Sequence, residues 1–174
     1  MVSRTTFWMD VLSSVTLCRR PRFLPTYRLL FGPDRTNGAN GVGHFDSNSG
    51  FDMSEVMGAS NCTLLAIAEI AELAHWKDTQ TKEGLDAVEL VRRGMNIQQR
   101  CLRQTTAGIV GRDGEREAVK EVFRYSAIAY LHSVLSGCHP RVPDIQNAVA
   151  GTIANLKVRF NTPLICYDYL PLPS

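Results

Sequence analysis

Nowhere in the 174 residues is there a run approaching the ~20 apolar positions of a membrane-spanning helix. Charge of one sign is also lacking: 19 Lys and Arg face 17 Asp and Glu, a formal net charge of +2. Such a balance gives no electrostatic footprint for nucleic acid, which needs a basic face or stripe. Close cysteines are missing too. Cys18, Cys62, Cys101, Cys138 and Cys166 lie 28 to 44 residues apart and are odd in number. That spacing argues for reduced thiols and against both a disulfide framework and a zinc cluster.

Catalytic signatures are equally scarce. There is no Gly-x-Ser-x-Gly elbow, and Gly41-Val42-Gly43 has neither the Lys-Ser/Thr pair of a Walker loop nor a preceding strand. Glu72-x-x-His75 has no second Glu-x-x-His to complete a di-iron bundle. Cys138 and His139 are neighbours whose side chains diverge, and with His132 they lack a Cys-x2-Cys partner pair. No catalytic, cofactor-binding or metal-ligating residue is therefore assigned, and an enzyme is disfavoured. At the N-terminus Asp10 breaks the apolar stretch that a secretory signal would need. Arg4, Arg19, Arg20 and Arg22 resemble a mitochondrial presequence in composition alone, and the packed-helix reading is preferred.

Ordinary globular material is present, with 44% hydrophobic and 21% charged residues. Periodicity places a short helix over 5–20, with Phe7, Val11, Leu12 and Val15 on one face and Pro21 as its stop, and a second over 25–30. A long helix over 61–80, capped by Ser60 or Asn61, carries Leu64, Ile67, Ala71 and Ala74, with Glu69 and Glu72 on the wet side. The next, over 85–103, is expected to bury Leu85, Val88, Val91, Met95 and Leu102 and to keep Arg92, Arg93, Asn96, Gln99 and Arg100 in water, with Gly94 packed closely on a neighbour. A helix over 115–136 presents Val119, Val122, Phe123, Ala127, Tyr130, Leu131 and Val134 and ends at Gly137. Pro140 and Pro143 mark a turn before a helix over 144–156 carrying Ile145, Val149, Ile153 and Leu156.

Between these elements, Gly38, Gly41, Gly43 and Gly50 with Asn37, Asn40 and Asn48 define a Gly/Asn-rich loop over 33–52. After Lys157 the pattern changes, with Pro163, Pro171 and Pro173 flanking apolar residues of no helical period. The expected fold is all-α, an array of antiparallel helical hairpins with that long loop and an irregular C-terminal tail.

More specific wording lies inside these helices. The stretch VMGASNCTLLAIAEIAELAHWK over 56–77 resembles a signature of the fungal-specific transcription factor domain family. VELVRRG over 88–94 followed by IQQRCL over 97–102, and VFRYSAIAYLHSVLSG over 122–137 followed by PRVP over 140–143, are similar to its later blocks. DVLSSVTL over 10–17, PRFL over 21–24 and YRLLFG over 27–32 are similar to an upstream one. The likeness runs in order from Trp8 to Leu156 and is closest to basidiomycete members.

The resemblance implies a regulatory helical region that normally follows a DNA-binding Zn2Cys6 cluster, hence a nuclear role in transcription regulation. It implies protein partners in the transcription machinery, or a homodimer. The cluster itself is missing from this sequence, so no direct DNA binding is expected of it, and no membrane association. Residues 6–157 are read as part of that domain, and 158–174 as a Pro-rich tail foreign to it. A fragment of this kind is expected to be marginal alone, because missing helices leave apolar faces uncovered. A stand-alone helical scaffold or adaptor with no nuclear role is the competing expectation.

Overall fold

A computed structural model describes residues 4–32, 53–81, 84–102 and 114–160. Among them are seven helices and no strand: α1 (Arg4–Thr16), α2 (Leu24–Phe31), α3 (Ser54–Met57), α4 (Asn61–Gln80), α5 (Ala87–Cys101), α6 (Gly114–Ser136) and α7 (Pro143–Phe160). The all-α expectation is met. The expected loop over 33–52 and residues 161–174 of the expected tail lie outside the described residues, whereas 158–160 of that tail belong to helix α7.

Helix α4 is the axis against which α1, α2, α5 and α6 pack. It starts where the sequence says it should: Ser60 Oγ accepts from Thr63 N at 3.1 Å, a side-chain N-cap. Leu64, Leu65, Ala66, Ala68, Ile70, Ala71 and Leu73 are all buried. A helix apolar nearly all round is one enclosed by neighbours, and the alanines let those neighbours approach closely.

The α1–α2 connection is built on a residue that the sequence presents only as a polar interruption. Asp10 is buried on α1, and its carboxylate accepts from Arg22 N and Phe23 N, both at 3.2 Å, and from Tyr27 Oη at 3.0 Å. Phe23, at the α2 N-cap, makes no side-chain cap hydrogen bond, and Asp10 on the neighbouring helix satisfies the two backbone donors that lead into α2. Around it Phe7 meets Phe23 and Tyr27 edge-on, with centroids 5.7 and 5.1 Å apart. Helix α1 stops four residues before Arg20, at Thr16, because Cys18 adopts a left-handed φ of 47° and Arg19 N donates back to Ser14 O. On α1, Phe7 and Val11 are buried as expected, but Leu12 is exposed and Ser14 takes the inner place.

Helix α5 corrects the expected phase. Val88, Val91 and Met95 are 79%, 48% and 40% exposed, while Leu90, Gly94, Ile97 and Cys101 face inward. Both sets have helical spacing. Gly94 decides between them, since a Cβ there would lie 2.7 Å from Leu135 Cδ2 on α6, so only this face can sit so close.

Helices α6 and α7 make the most extensive pairing. Gly151 backs onto the Tyr125 ring, where a Cβ would meet ring carbons at 2.5–2.7 Å, and Ala148 is buried. The small residues thus face α6, which leaves Val149 and Ile153, expected inside, 45% and 42% exposed. Helix α7 also continues to Phe160, past its expected end at Leu156. On α6, Ala127, Leu131 and Val134 are buried, and Val119, Val122, Phe123 and Tyr130 are half-buried. Helix α3 was not foreseen; Gly58 closes it at φ 74°, with Val119 and Phe123 against it.

Candidate functional site: an arginine-lined cleft beside Trp76

The described residues hold a cleft of about 240 Å³ between α2, α4 and α5. Its apolar surface comes from Leu73, Trp76 and Ile97, and its polar surface from Glu69, Glu72 and Asn96 with Arg28, Arg92, Arg93 and Arg100.

Glu69 organises one side. It was expected in water, yet it is only 3% exposed. Arg28 Nε donates to its Oε1 at 3.0 Å and Arg100 Nη2 to its Oε2 at 2.5 Å. The partners arrive from 41 and 31 residues away, on α2 and α5. A carboxylate so enclosed is tolerable only because two guanidiniums compensate it. Its charge also reaches the buried Cys101, whose thiol is pushed up to about 12, first by burial and then by Glu69.

Glu89 organises the other side. It takes Nε and Nη2 of Arg92 at 2.6 and 2.7 Å, and Nε of Arg93 at 2.7 Å. Hydrogen bonds from Arg92 and then Arg93 hold its carboxyl down at about 2. Arg93 also lies 4.3 Å from the centre of the Trp76 ring, a cation–π contact. Between the two sides, Arg20 Nε is 3.0 Å from Glu72 Oε2, but that oxygen, itself shielded from solvent, receives no hydrogen bond.

The chemical candidates from the sequence are dispersed. Glu72 turns to Arg20 while His75 is exposed. His132 is buried on α6 with Nδ1 3.8 Å from Asp144 Oδ2, and Cys138 and His139 are exposed in the following turn. Among the described residues no three His, Cys, Asp or Glu are grouped as metal ligands. The cleft itself was missed. Its signal was available as the pairs Arg92-Arg93 and Glu69/Glu72, but only the tertiary fold brings α2 to them.

Fold and cleft together define an all-helical domain whose elements are joined by long-range charge pairs. The chain belongs to the fungal specific transcription factor domain family, whose sequence model matches residues 1–166. It is 33% identical over 109 residues to the trichothecene biosynthesis transcription regulator TRI10 of Trichoderma arundinaceum, covering 60% of this chain and 25% of that protein. With TRI10 of Fusarium sporotrichioides it is 28% identical over 117 residues, 66% of this chain and 28% of the relative. With the ustiloxin B cluster transcription factor ustR of Aspergillus flavus it is 27% identical over 115 residues, 58% and 20% of the two lengths. The matches span about a quarter of the length of these curated relatives. No solved structure matches.

Proposed function

We propose that this chain is a regulatory, protein-interacting region of a fungal transcription regulator, acting in the nucleus and contacting DNA through no zinc cluster of its own. The family match over residues 1–166, with relatives that are transcription regulators, carries this reading. The exposed Val88, Val91 and Met95 strip on α5 supports a role in contact with protein partners, either from the transcription machinery or a second copy of the chain. The near-balanced charge supports the absence of direct DNA contact.

The test is a fusion of the chain to an unrelated DNA-binding domain in a fungal cell, with a reporter behind the cognate site and a fluorescent tag on the fusion partner-free chain. A change in reporter output, nuclear fluorescence and no DNA mobility shift by the purified chain are expected. A silent reporter with even cytoplasmic fluorescence would replace this reading with that of a stand-alone helical scaffold.

A further inference from the structure

We propose that the cleft between α2, α4 and α5 binds a small organic anion, a carboxylate or phosphate carried on an aromatic body. This stands apart from the transcriptional role, because it concerns what the purified chain binds.

The charge balance points to an anion. Arg28 and Arg100 share Glu69, Arg92 and Arg93 share Glu89, and Arg20 faces Glu72. On the cleft wall itself four guanidiniums, of Arg28, Arg92, Arg93 and Arg100, meet two carboxylates, of Glu69 and Glu72; adding Arg20 and Glu89, which lie behind that wall, leaves the same two positive charges in excess. Donor capacity is also left over. A guanidinium has five N–H donors. Arg28 and Arg93 each place only Nε on a carboxylate, and their terminal nitrogens make no hydrogen bond among the described residues. Paired terminal N–H groups match a carboxylate or phosphate at two points.

The body follows from the walls. Leu73 and Ile97 are apolar, and Trp76, with the Arg93 guanidinium over its ring, adds an aromatic wall. At about 240 Å³ the cleft falls below the ~300 Å³ at which drug-sized pockets begin, so one or two fused rings are the fitting size.

The experiment titrates the full chain, carrying Trp8→Phe so that Trp76 is the sole indole, with 2-naphthoate, 2-naphthyl phosphate and the neutral 2-naphthamide. Trp8 packs edge-on against Phe123, a contact that phenylalanine retains. Saturable change in Trp76 fluorescence is expected for an anion, with a dissociation constant of about 1 mM or tighter, as commonly reached by a ligand of ~13 heavy atoms. The tighter of the two anions identifies the head group. The amide should bind at least tenfold more weakly, and Arg93→Gln should weaken the better anion at least tenfold. Arg116→Gln, on an exposed part of α6, serves as the charge control and should change nothing. Equal binding of amide and anions, an unaltered response in Arg93→Gln, an equal loss in Arg116→Gln, or no saturation by either anion would overturn the proposal. Circular dichroism of each variant separates loss of the site from loss of the fold.

Discussion

The two ends of the helical array are held by different physics. At the α1–α2 end, a buried carboxylate gathers three donors inside an aromatic cluster. At the α6–α7 end, small residues allow close backbone approach, and half-exposed Val149 and Ile153 remain at the surface. Hydrogen bonds to a buried charge are directional and costly to leave unmade, so the first end has one solution. Dispersion packing of small against aromatic surfaces is spread over many weak contacts and yields by degrees. The first end should therefore fail all at once, and the second locally.

The largest effect is expected from Asp10→Ala, which strands Arg22 N and Phe23 N and removes one of the two partners of Tyr27 Oη. A loss of about 3–5 kcal/mol should appear in urea unfolding, enough to unfold a marginal domain; a loss below ~1 kcal/mol would erase the distinction between the ends. Next is Gly151→Val, which forces a side chain into the Tyr125 ring and should cost about 1–3 kcal/mol. Hydrogen exchange should show amides of α7 opening while those of α1 and α2 stay protected, and a uniform loss of protection would mean that both ends belong to one cooperative unit.

Smaller and opposite in sign is Cys18→Gly. Cys18 has a φ of 47°, which L residues adopt at a cost, so glycine should raise stability by roughly 0.5–1 kcal/mol in the same unfolding experiment. The smallest effect concerns Glu89. Its carboxyl is held at about 2, below the 4.5 of an unperturbed glutamate, so its contribution is present above pH 4.5 and lost as pH falls towards 2. Because the pair lies in solvent, Glu89→Gln should flatten only the acid limb of the stability profile, a change that 0.5 M salt should largely mimic.

Legibility differed between elements for the same reason. The span of helix α4 was readable, with Ser60 as one of two expected caps, because Ser60, the alanines and the lack of internal Gly or Pro are local signals. The inward face of α5 was not. The set Val88, Val91, Met95 is as well spaced as Leu90, Ile97, Cys101, and the choice depends on Leu135 lying opposite Gly94. Glu69 was placed in water because its compensating arginines lie on other helices, 31 and 41 residues distant. Asp10 looked like a break in an apolar stretch for the same cause. The cleft depends on such non-local partners, so the sequence outlined it only through the pairs Arg92-Arg93 and Glu69/Glu72.

The hold of Asp10 on the entry to α2 carries a consequence for the order of folding. An eight-residue helix is too short to persist by itself, since nucleation outweighs so few propagation steps. The backbone donors leading into it, Arg22 N and Phe23 N, are satisfied by the carboxylate from α1. Helix α2 should then gain structure together with α1, in a single kinetic step, rather than wait preformed; and any insertion lengthening the 17–22 connection should slow that step through loop closure while leaving the finished contacts unchanged.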